Sequence, residues 1–373
     1  MSDLECDLIT SRAELNELEP EWNRLLQRST ANNVFLTWEW VSSWWQWLSG
    51  DREPWVLAMR QPSTGKLLGL APLAQQQYTT RRGLRYRVLT FIGSYRAAPD
   101  HLDFIIDAEY ELIVAPALMK RLMSQGRPYI FSFDSLAADS TPARLLRNKS
   151  GYRQMSEEIC PYIELPADWD SYWLMVSKSL RKNTEYSARR LERLHPGEVS
   201  YSQVATEREL ETALATLFRL HTEVRQAHNE IGAFADNRMR HFHRRVASLF
   251  LSNGWLRFYR LGVGGEDIAL LYCYYYNTVL SHYQSGYNVE WHKYSPGNLI
   301  IAHAIKQAIE ECATEFDFLR GAEPYKFRWT DQERKDLCVE FSQSILRKVH
   351  LLYLSAGRRV RFIRAMMTTR GSK

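Results

Sequence analysis

A chain of 373 residues with 45% hydrophobic and 24% charged residues has the composition of a folded globular protein long enough for two domains, which excludes disordered and fibrous classes. The net charge of +5 is unevenly placed, because from residue 341 onward the chain carries eight Lys and Arg and no acid, leaving the rest slightly acidic. The five cysteines lack the paired spacing of a zinc site, the first residues lack the apolar core of a secretory leader, and no apolar run approaches the ~20 residues of a membrane-spanning helix; the reading is a cytoplasmic protein with reduced thiols.

In chain order, residues 15–26 have helical spacing, with Pro20 expected to start a new helix or kink the one before. Residues 35–48 hold Trp38, Trp40, Trp44, Trp45 and Trp47; Trp40, Trp44 and Trp47 share a helical face, for which domain packing is the commoner use. Strands are expected at 55–60, 67–78, 85–92 and 102–106, a helix at 111–124, and strands at 129–135 and 159–165. Composition shifts around 166–170, so the chain divides into a first lobe over 1–165, a second over 166–343 and a basic amphipathic tail over 344–373.

Residues 169–195 read as one long amphipathic helix whose outer face carries Lys178, Arg181, Lys182, Arg189, Arg190 and Arg193; a solvated face and a contact with phosphate or anionic lipid both fit. Helices at 210–230 and 238–251 follow, and the first sets His221 and Arg225 one turn apart. Strands at 255–261 and 267–276 form a hairpin across Gly262, Gly264 and Gly265, a turn rather than a dinucleotide loop because a strand follows it.

The stretch 280–329 carries most of the information. A strand over 280–287 contains Gly286, a sign of a bulge or a close backbone approach. After a loop, Ser295, Pro296 and Gly297 start a helix, with the serine as cap and the amides of Gly297, Asn298 and Leu299 pointing outward. Apolar Ile301, Ile305, Ala308 and Ile309 recur along it, and a short strand at 315–319 then lies parallel to the first by the right-handed crossover rule. A helix start beyond a strand's carboxyl end is a natural anion site, so Ser-Pro-Gly is either a phosphate cradle or only a well-built cap. A fainter strand, helix and strand at 102–135 echoes this unit without the Ser-Pro-Gly start, which suggests two related halves.

Leu220-His221 with Arg225, Tyr294-Ser295-Pro296-Gly297, Phe316-Asp317-Phe318-Leu319-Arg320-Gly321, and Glu323 with Tyr325-Lys326 and Trp329 together resemble acetyltransferases of the GNAT superfamily, in particular the group associated with bacterial cellulose and exopolysaccharide synthesis. Trp22, Phe35, Trp38 and Trp44 extend the likeness toward the N-terminus. The resemblance implies an α/β (α+β mixed) fold of tandem GNAT-like lobes, each a mixed central sheet flanked by helices, related to Fem-type transferases and with the acyl-CoA site in the second lobe. It implies an N- or O-acetyltransferase that uses acetyl-CoA or another acyl-CoA, needs no metal, and acts on a polysaccharide precursor or another cell-envelope acceptor by direct attack on the thioester. The absence of a nucleophile elbow agrees with direct attack.

On that resemblance the pyrophosphate rests on Ser295, Pro296, Gly297, Asn298 and Leu299, although Ser-Pro-Gly replaces the superfamily's longer glycine-rich loop and Asn288 stands where an acid is expected. Amides near Gly286 and Tyr287 are the oxyanion candidates. His221 is the first candidate proton acceptor and Glu323 the second. Lys326 is expected to hold the acceptor or the developing charge, and Arg225, Arg320 and Tyr325 to bind substrate; a purely structural pairing is the competing use of His221 and Lys326, and the preferred use of Asp317. Two other readings stay open: a non-catalytic scaffold in exopolysaccharide synthesis, and Fem-like aminoacyl transfer from charged tRNA, which the basic faces permit without demanding. Nothing points to DNA. The tail, with Ile345, Leu346, Val349 and Phe362 among arginines, is expected to touch the anionic inner membrane peripherally or to dock on the second lobe.

Overall fold

The computed structural model describes residues 4–79, 83, 85–124, 129–227 and 232–342, so the tail over 344–373 lies outside the described residues. The first part of the chain gives β1 (Glu5–Ile9), α1 (Arg12–Glu17), α2 (Glu19–Leu26), α3 (Trp38–Trp47), β2 (Glu53–Arg60), β3 (Leu67–Thr79), β4 (Arg85–Phe91), β5 (Ile105–Ile106), α4 (Glu111–Met123), β6 (Tyr129–Ala137), α5 (Thr141–Leu146) and β7 (Tyr152–Glu164). The second gives α6 (Trp169–Met175), α7 (Lys178–Leu194), β8 (Val199–Gln203), α8 (Glu207–Ala227), α9 (Asn237–Ser252), β9 (Leu256–Val263), β10 (Glu266–Tyr276), β11 (Val279–Tyr287), α10 (Pro296–Glu310), β12 (Glu315–Asp317) and β13 (Glu333–Phe341). Pro20 lies in the first turn of α2, where its missing N–H costs nothing, and so divides α1 from α2 as its position predicts.

One mixed sheet runs through both lobes in the order β1-β2-β3-β4-β6-β13-β7-β12-β11-β10-β9-β8, with β5 paired to β3. Its pairs are antiparallel except two, β4 with β6 and β11 with β12, and each parallel pair is joined by a crossover helix, α4 and α10 respectively. The internal echo is therefore real, but the first lobe's counterpart of β11 is β4; residues 102–106 contribute only the two-residue β5. The C-terminal strand β13 returns to the first lobe and lies between β6 and β7, antiparallel to both.

The expected single helix over 169–195 is two. Val176 is extended, with φ −66° and ψ 143°, and the Ser177 hydroxyl accepts from the Leu180 amide as a fresh N-cap for α7. The apolar spacing of Trp173, Val176 and Leu180 continues across the break, which is why periodicity alone does not reveal it.

The lobes share an aromatic core. Trp40 of α3 makes edge contacts with Phe242 of α9 and with Tyr274 and Tyr283 of the second-lobe sheet, at centroid distances of 5.0, 6.2 and 5.8 Å. Such pairs add about 0.5–1.5 kcal/mol each beyond the area they bury. Trp47 of the same face instead stacks on His241 at 4.5 Å.

Gly286 brings β11 against α8. A Cβ there would sit 3.3 Å from Leu217 Cδ1 and from Leu220 Cβ and 3.7 Å from the His221 amide nitrogen. Of the bulge and the close approach that this glycine suggested, it provides the close approach, and the bulge lies at Tyr283, where the β10 register passes from Tyr272 opposite Gln284 to Cys273 opposite His282. Gly286→Val should therefore overpack the α8 contact and lower stability by about 1–3 kcal/mol, read as a reduced denaturation midpoint, with Gly286→Ala milder.

Candidate active site

The site forms where β11 and β12 part. They pair only over 279–281 and 315–317, and β12 then ends because the Asp317 Oδ1 accepts from the Leu319 amide at 2.7 Å while Leu319 turns through φ +56°. The chain leaves toward β7, where Pro161 and Ile159 carbonyls accept from Phe318 and Gly321. Among the described residues, 282–287 of β11 are left with β10 on one side and no strand on the other.

Strand geometry fixes which amides face that opening. The Asn288 amide donates to Ile268 of β10, and N–H groups alternate sides along a strand, so those of Gly286 and Gln284 belong to the β10 ladder while those of Ser285 and Tyr287 point away from it. Of the two expected oxyanion positions, Tyr287 thus offers its amide to the opening, and Gly286 contributes close packing.

A cavity of about 460 Å³ occupies the opening. Its wall gathers seven residues singled out in the sequence, His221, Gly286, Tyr287, Arg320, Glu323, Tyr325 and Lys326, together with His282, Tyr283, Phe318 and, from the first lobe, Ala98 and Asp100. Ser295, Pro296, Gly297, Asn298 and Leu299 are not part of this wall, and the side chain of Arg225 lies outside the described residues.

The polar side chains of the wall are mostly occupied. Lys326, 4% exposed, directs its ammonium at the carbonyls of Leu319 and Arg320 at 3.1 and 2.5 Å and at Glu323 Oε2 at 3.0 Å, which accounts for three donors. Arg320 holds Asp100 through both its backbone amide, at 3.0 Å, and its Nε, at 2.6 Å, and also reaches the Pro99 carbonyl and the Ser135 hydroxyl. His221 is buried with its ring edge-on to Phe234 at 4.9 Å.

His282 is a wall residue that the sequence did not mark. It is 4% exposed, lies at the first β11 position beyond the β12 pairing, and its Nδ1 is buried without a hydrogen-bond partner. Burial, reinforced by the Lys326 charge, pushes its imidazole down to about 3, so it is neutral at physiological pH. A single histidine in an aromatic strand carries no spacing signal that would set it apart.

The α10 entrance is narrower than its sequence suggested. Ser295 adopts φ +51° at the end of a 3-10 turn over Val289–Tyr294, so its hydroxyl does not cap the helix. Its carbonyl accepts from the amides of both Asn298 and Leu299, and Pro296 has no N–H, which leaves Gly297 as the amide without a backbone bond among the described residues. The space over Gly297 is open, with nothing within 4 Å of where a Cβ would stand.

A buried charge cluster holds this end of β12 in place. His101, from the first-lobe loop after β4, lies between Asp336 Oδ1 at 2.8 Å and Asp317 Oδ2 at 2.9 Å, and its amide donates to Asp336 Oδ2 at 2.6 Å. Arg334 adds a contact to Asp317 at 2.5 Å and an ion pair with Glu315. Burial alone would lower the His101 imidazole, but Asp336 and Asp317 outweigh it and hold it at about 10. Burial likewise opposes the Asp317 charge, and His101 and Arg334 reverse this, keeping the carboxyl well below its usual range. His101, Cys160 and Asp336 bring three potential metal donors within 4.8 Å, yet both ring nitrogens of His101 already face carboxylates, so the cluster fits a bound proton rather than a bound cation.

Among the described residues the first lobe shows no corresponding opening. Beyond the parallel pairing of β4 with β6, the indole N–H groups of Trp40 and Trp44 donate to the carbonyls of Gly93 and Ser94 at 3.1 and 2.9 Å, and both rings are fully buried. The tryptophan face of α3 fills the place where the second lobe has its cavity.

Residues 178–327 match the family model described as an acetyltransferase (GNAT) domain, and this stretch is a GNAT-type domain. Among curated proteins no relative matches. Of solved structures, FemX superposes with a TM-score of 0.61 at 10% identity, over 93% of this chain and 99% of its own. The C-terminal domain of a putative lysylphosphatidylglycerol synthetase from Agrobacterium fabrum gives 0.51 at 12% identity, over 91% and 95%, and L-PGS from Bacillus licheniformis gives 0.51 at 13%, over 89% and 95%. At such identities the likeness is one of fold. No helix among the described residues is long and apolar enough to cross a membrane.

The charge cluster predicts a pH dependence. His101 has a folded value of about 10 against about 6.5 unfolded, so its contribution is complete below the unfolded value and is lost as pH rises toward 10. Denaturant unfolding from pH 6.5 to 10 should show stability falling, with the fall reduced in His101→Gln. Asp317, held low, contributes above its unfolded value and loses that contribution only as strong acid protonates it in the fold. His101→Ala should cost about 3–5 kcal/mol at neutral pH by removing the ion-pair partner of the buried Asp336 and leaving the buried Asp317 with Arg334 alone.

Proposed function

We propose that the protein is an acyl-CoA-dependent acyltransferase of the GNAT type that transfers an acetyl or related acyl group to a cell-envelope glycan precursor by direct attack on the thioester. The observation that carries the reading is the open β11 edge: two amides, of Ser285 and Tyr287, face a cavity that also reaches the first lobe, so a donor chain lying along the edge would present its carbonyl to an acceptor between the lobes. The Tyr287 amide is suited to stabilise the oxyanion of the tetrahedral intermediate. The open α10 start, with Gly297, would receive the donor's phosphate.

In this reading Lys326 positions rather than reacts. Its three contacts fix the loop 319–326 that forms one wall. Glu323 remains half exposed beside it, and His221 reaches the same cavity from α8, so both stay candidates for receiving a proton. Arg320 and Asp100 tie the wall to the first lobe, and Tyr325 provides an aromatic surface for the acceptor.

A second reading, aminoacyl transfer from charged tRNA, is favoured by one observation. The α10 start offers a single amide, a modest site for a pyrophosphate, while Lys178, Lys182, Arg189 and Arg193 form an exposed basic strip on α7. Its signature would be binding of tRNA that falls steeply with salt.

Isothermal titration with acetyl-CoA separates the readings: saturable heat, competed by CoA, supports the first, and no heat sinks it. Tyr287→Pro provides the internal test, because proline on an unpaired edge removes the outward amide and spares the β10 ladder. The variant should bind acetyl-CoA or turn it over about three- to tenfold less well, as expected for about 1 kcal/mol from one hydrogen bond, with thermal stability little changed.

A further inference from the structure

The cavity wall contains two cations, Lys326 and Arg320, and two carboxylates, Glu323 and Asp100, already matched to them at 3.0 and 2.6 Å. Both oxygens of Asp100 are taken by Arg320. An ammonium-bearing acceptor would enter as a third positive charge beside carboxylates that Lys326 and Arg320 already engage, and would lie in the field of the buried Lys326. Like charges in such a setting repel strongly. A neutral hydroxyl asks only for a hydrogen-bond acceptor.

His282 is the buried polar group of that wall whose ring has no hydrogen-bond partner among the described residues. It sits where β11 loses β12, one residue before the Tyr283 bulge, with the rings of Phe318 and Phe316 at 6.0 and 6.4 Å and Lys326 nearby. Burying an imidazole nitrogen without a partner is costly, and a bound ligand that supplies the partner would remove that cost.

We infer that the cavity takes an uncharged, hydroxyl-bearing acceptor of the sugar class, and that His282 accepts the hydrogen bond of the hydroxyl that attacks. The inference rests on the acyltransferase reading above and deepens it to O-transfer. In the step, the hydroxyl oxygen bonds to the thioester carbonyl carbon, the carbon–sulfur bond breaks, and the hydroxyl proton ends on the departing CoA thiolate, which leaves as the thiol. His282 orients the hydroxyl and carries its proton only in passing, since a ring so averse to charge is not a store for it. His221, on α8, faces the same space with its ring against Phe234 and takes no part in this contact.

The test uses the full chain, acetyl-CoA, and glucose and glucosamine as probe acceptors at neutral pH, with ester and amide products distinguished by hydroxylamine cleavage. The expected result is an acetyl ester on glucose that forms at least tenfold faster than acetamide on glucosamine. His282→Phe should slow ester formation at least tenfold and His282→Gln, which keeps an acceptor oxygen, should restore most of it, with CoA affinity the same in all three proteins. Amide in excess of ester, an unchanged ester rate in His282→Phe, or no ester despite CoA binding each overturns the inference while leaving donor binding intact. Failure of the wild-type protein to bind CoA overturns the acyltransferase reading and this inference with it.

Discussion

The structure depends on one imidazolium held between two buried carboxylates. His101 faces Asp317 of β12 on one side and Asp336 of β13 on the other, and it comes from a loop of the first lobe. Placing two carboxylates this deep without a counter-charge is costly, since desolvation costs several kcal/mol per ion. His101 contacts both carboxylates and Arg334 contacts Asp317, so three distant segments become one rigid point. The consequence is geometric: Asp317 is held so that it accepts from Leu319, the backbone turns left-handed there, and the strand leaves its neighbour after three paired residues. The cavity is what that departure leaves behind.

The same construction appears twice with opposite outcomes. Each lobe has a parallel strand pair joined by a helix, and in each the pairing stops after three residues while the first strand continues. In the first lobe the turn that follows β4 ends against two indoles whose N–H groups bond the carbonyls of Gly93 and Ser94, so that backbone is satisfied and the space is full. In the second lobe the space is empty and two amides are left facing it. Gly93 marks how close the packing is, since a Cβ there would lie 2.9 Å from the Trp40 ring. Filling one cleft gives the fold a shared aromatic core, and leaving the other open gives it a place for chemistry. The return of β13 to the first lobe ties the two together, so that the lobes are not free to separate as loosely linked domains would.

Local features were legible in the sequence and long-range ones were not. The hairpin at Gly264 and Gly265, the Pro20 break, the strand–helix–parallel strand unit and the close approach at Gly286 follow from turn chemistry, fixed φ, crossover handedness and the missing Cβ, all of which act within a few residues. The break at Ser177 was hidden because the apolar period keeps its phase through it. Ser295 looked like a cap because serine usually is one, but its place at the end of a preceding 3-10 turn puts it in a left-handed conformation. His101, Asp336 and Arg334 gave no sign at all: they meet across more than two hundred residues of chain, and neither spacing nor composition encodes such a meeting. The insertion of β13 was invisible for the same reason.

The division between scaffold and chemistry follows from which polar atoms already have partners. Lys326 and Arg320 look reactive by residue type alone, yet a buried ammonium that touches two carbonyls and a carboxylate is costly to move, because pulling it from any of them would strand a charge in a poor solvent. Their roles are to hold the loop and to set the field. What the cavity retains for a ligand are groups that the fold has left incomplete: the outward amides of Ser285 and Tyr287, and the imidazole of His282. All three lie within six residues of one strand, immediately beyond the point where the charge cluster forces β12 away. The cluster that stabilises the protein therefore also decides where its unsatisfied groups are exposed, and a change to it should alter the site without touching any residue that lines the open edge of β11.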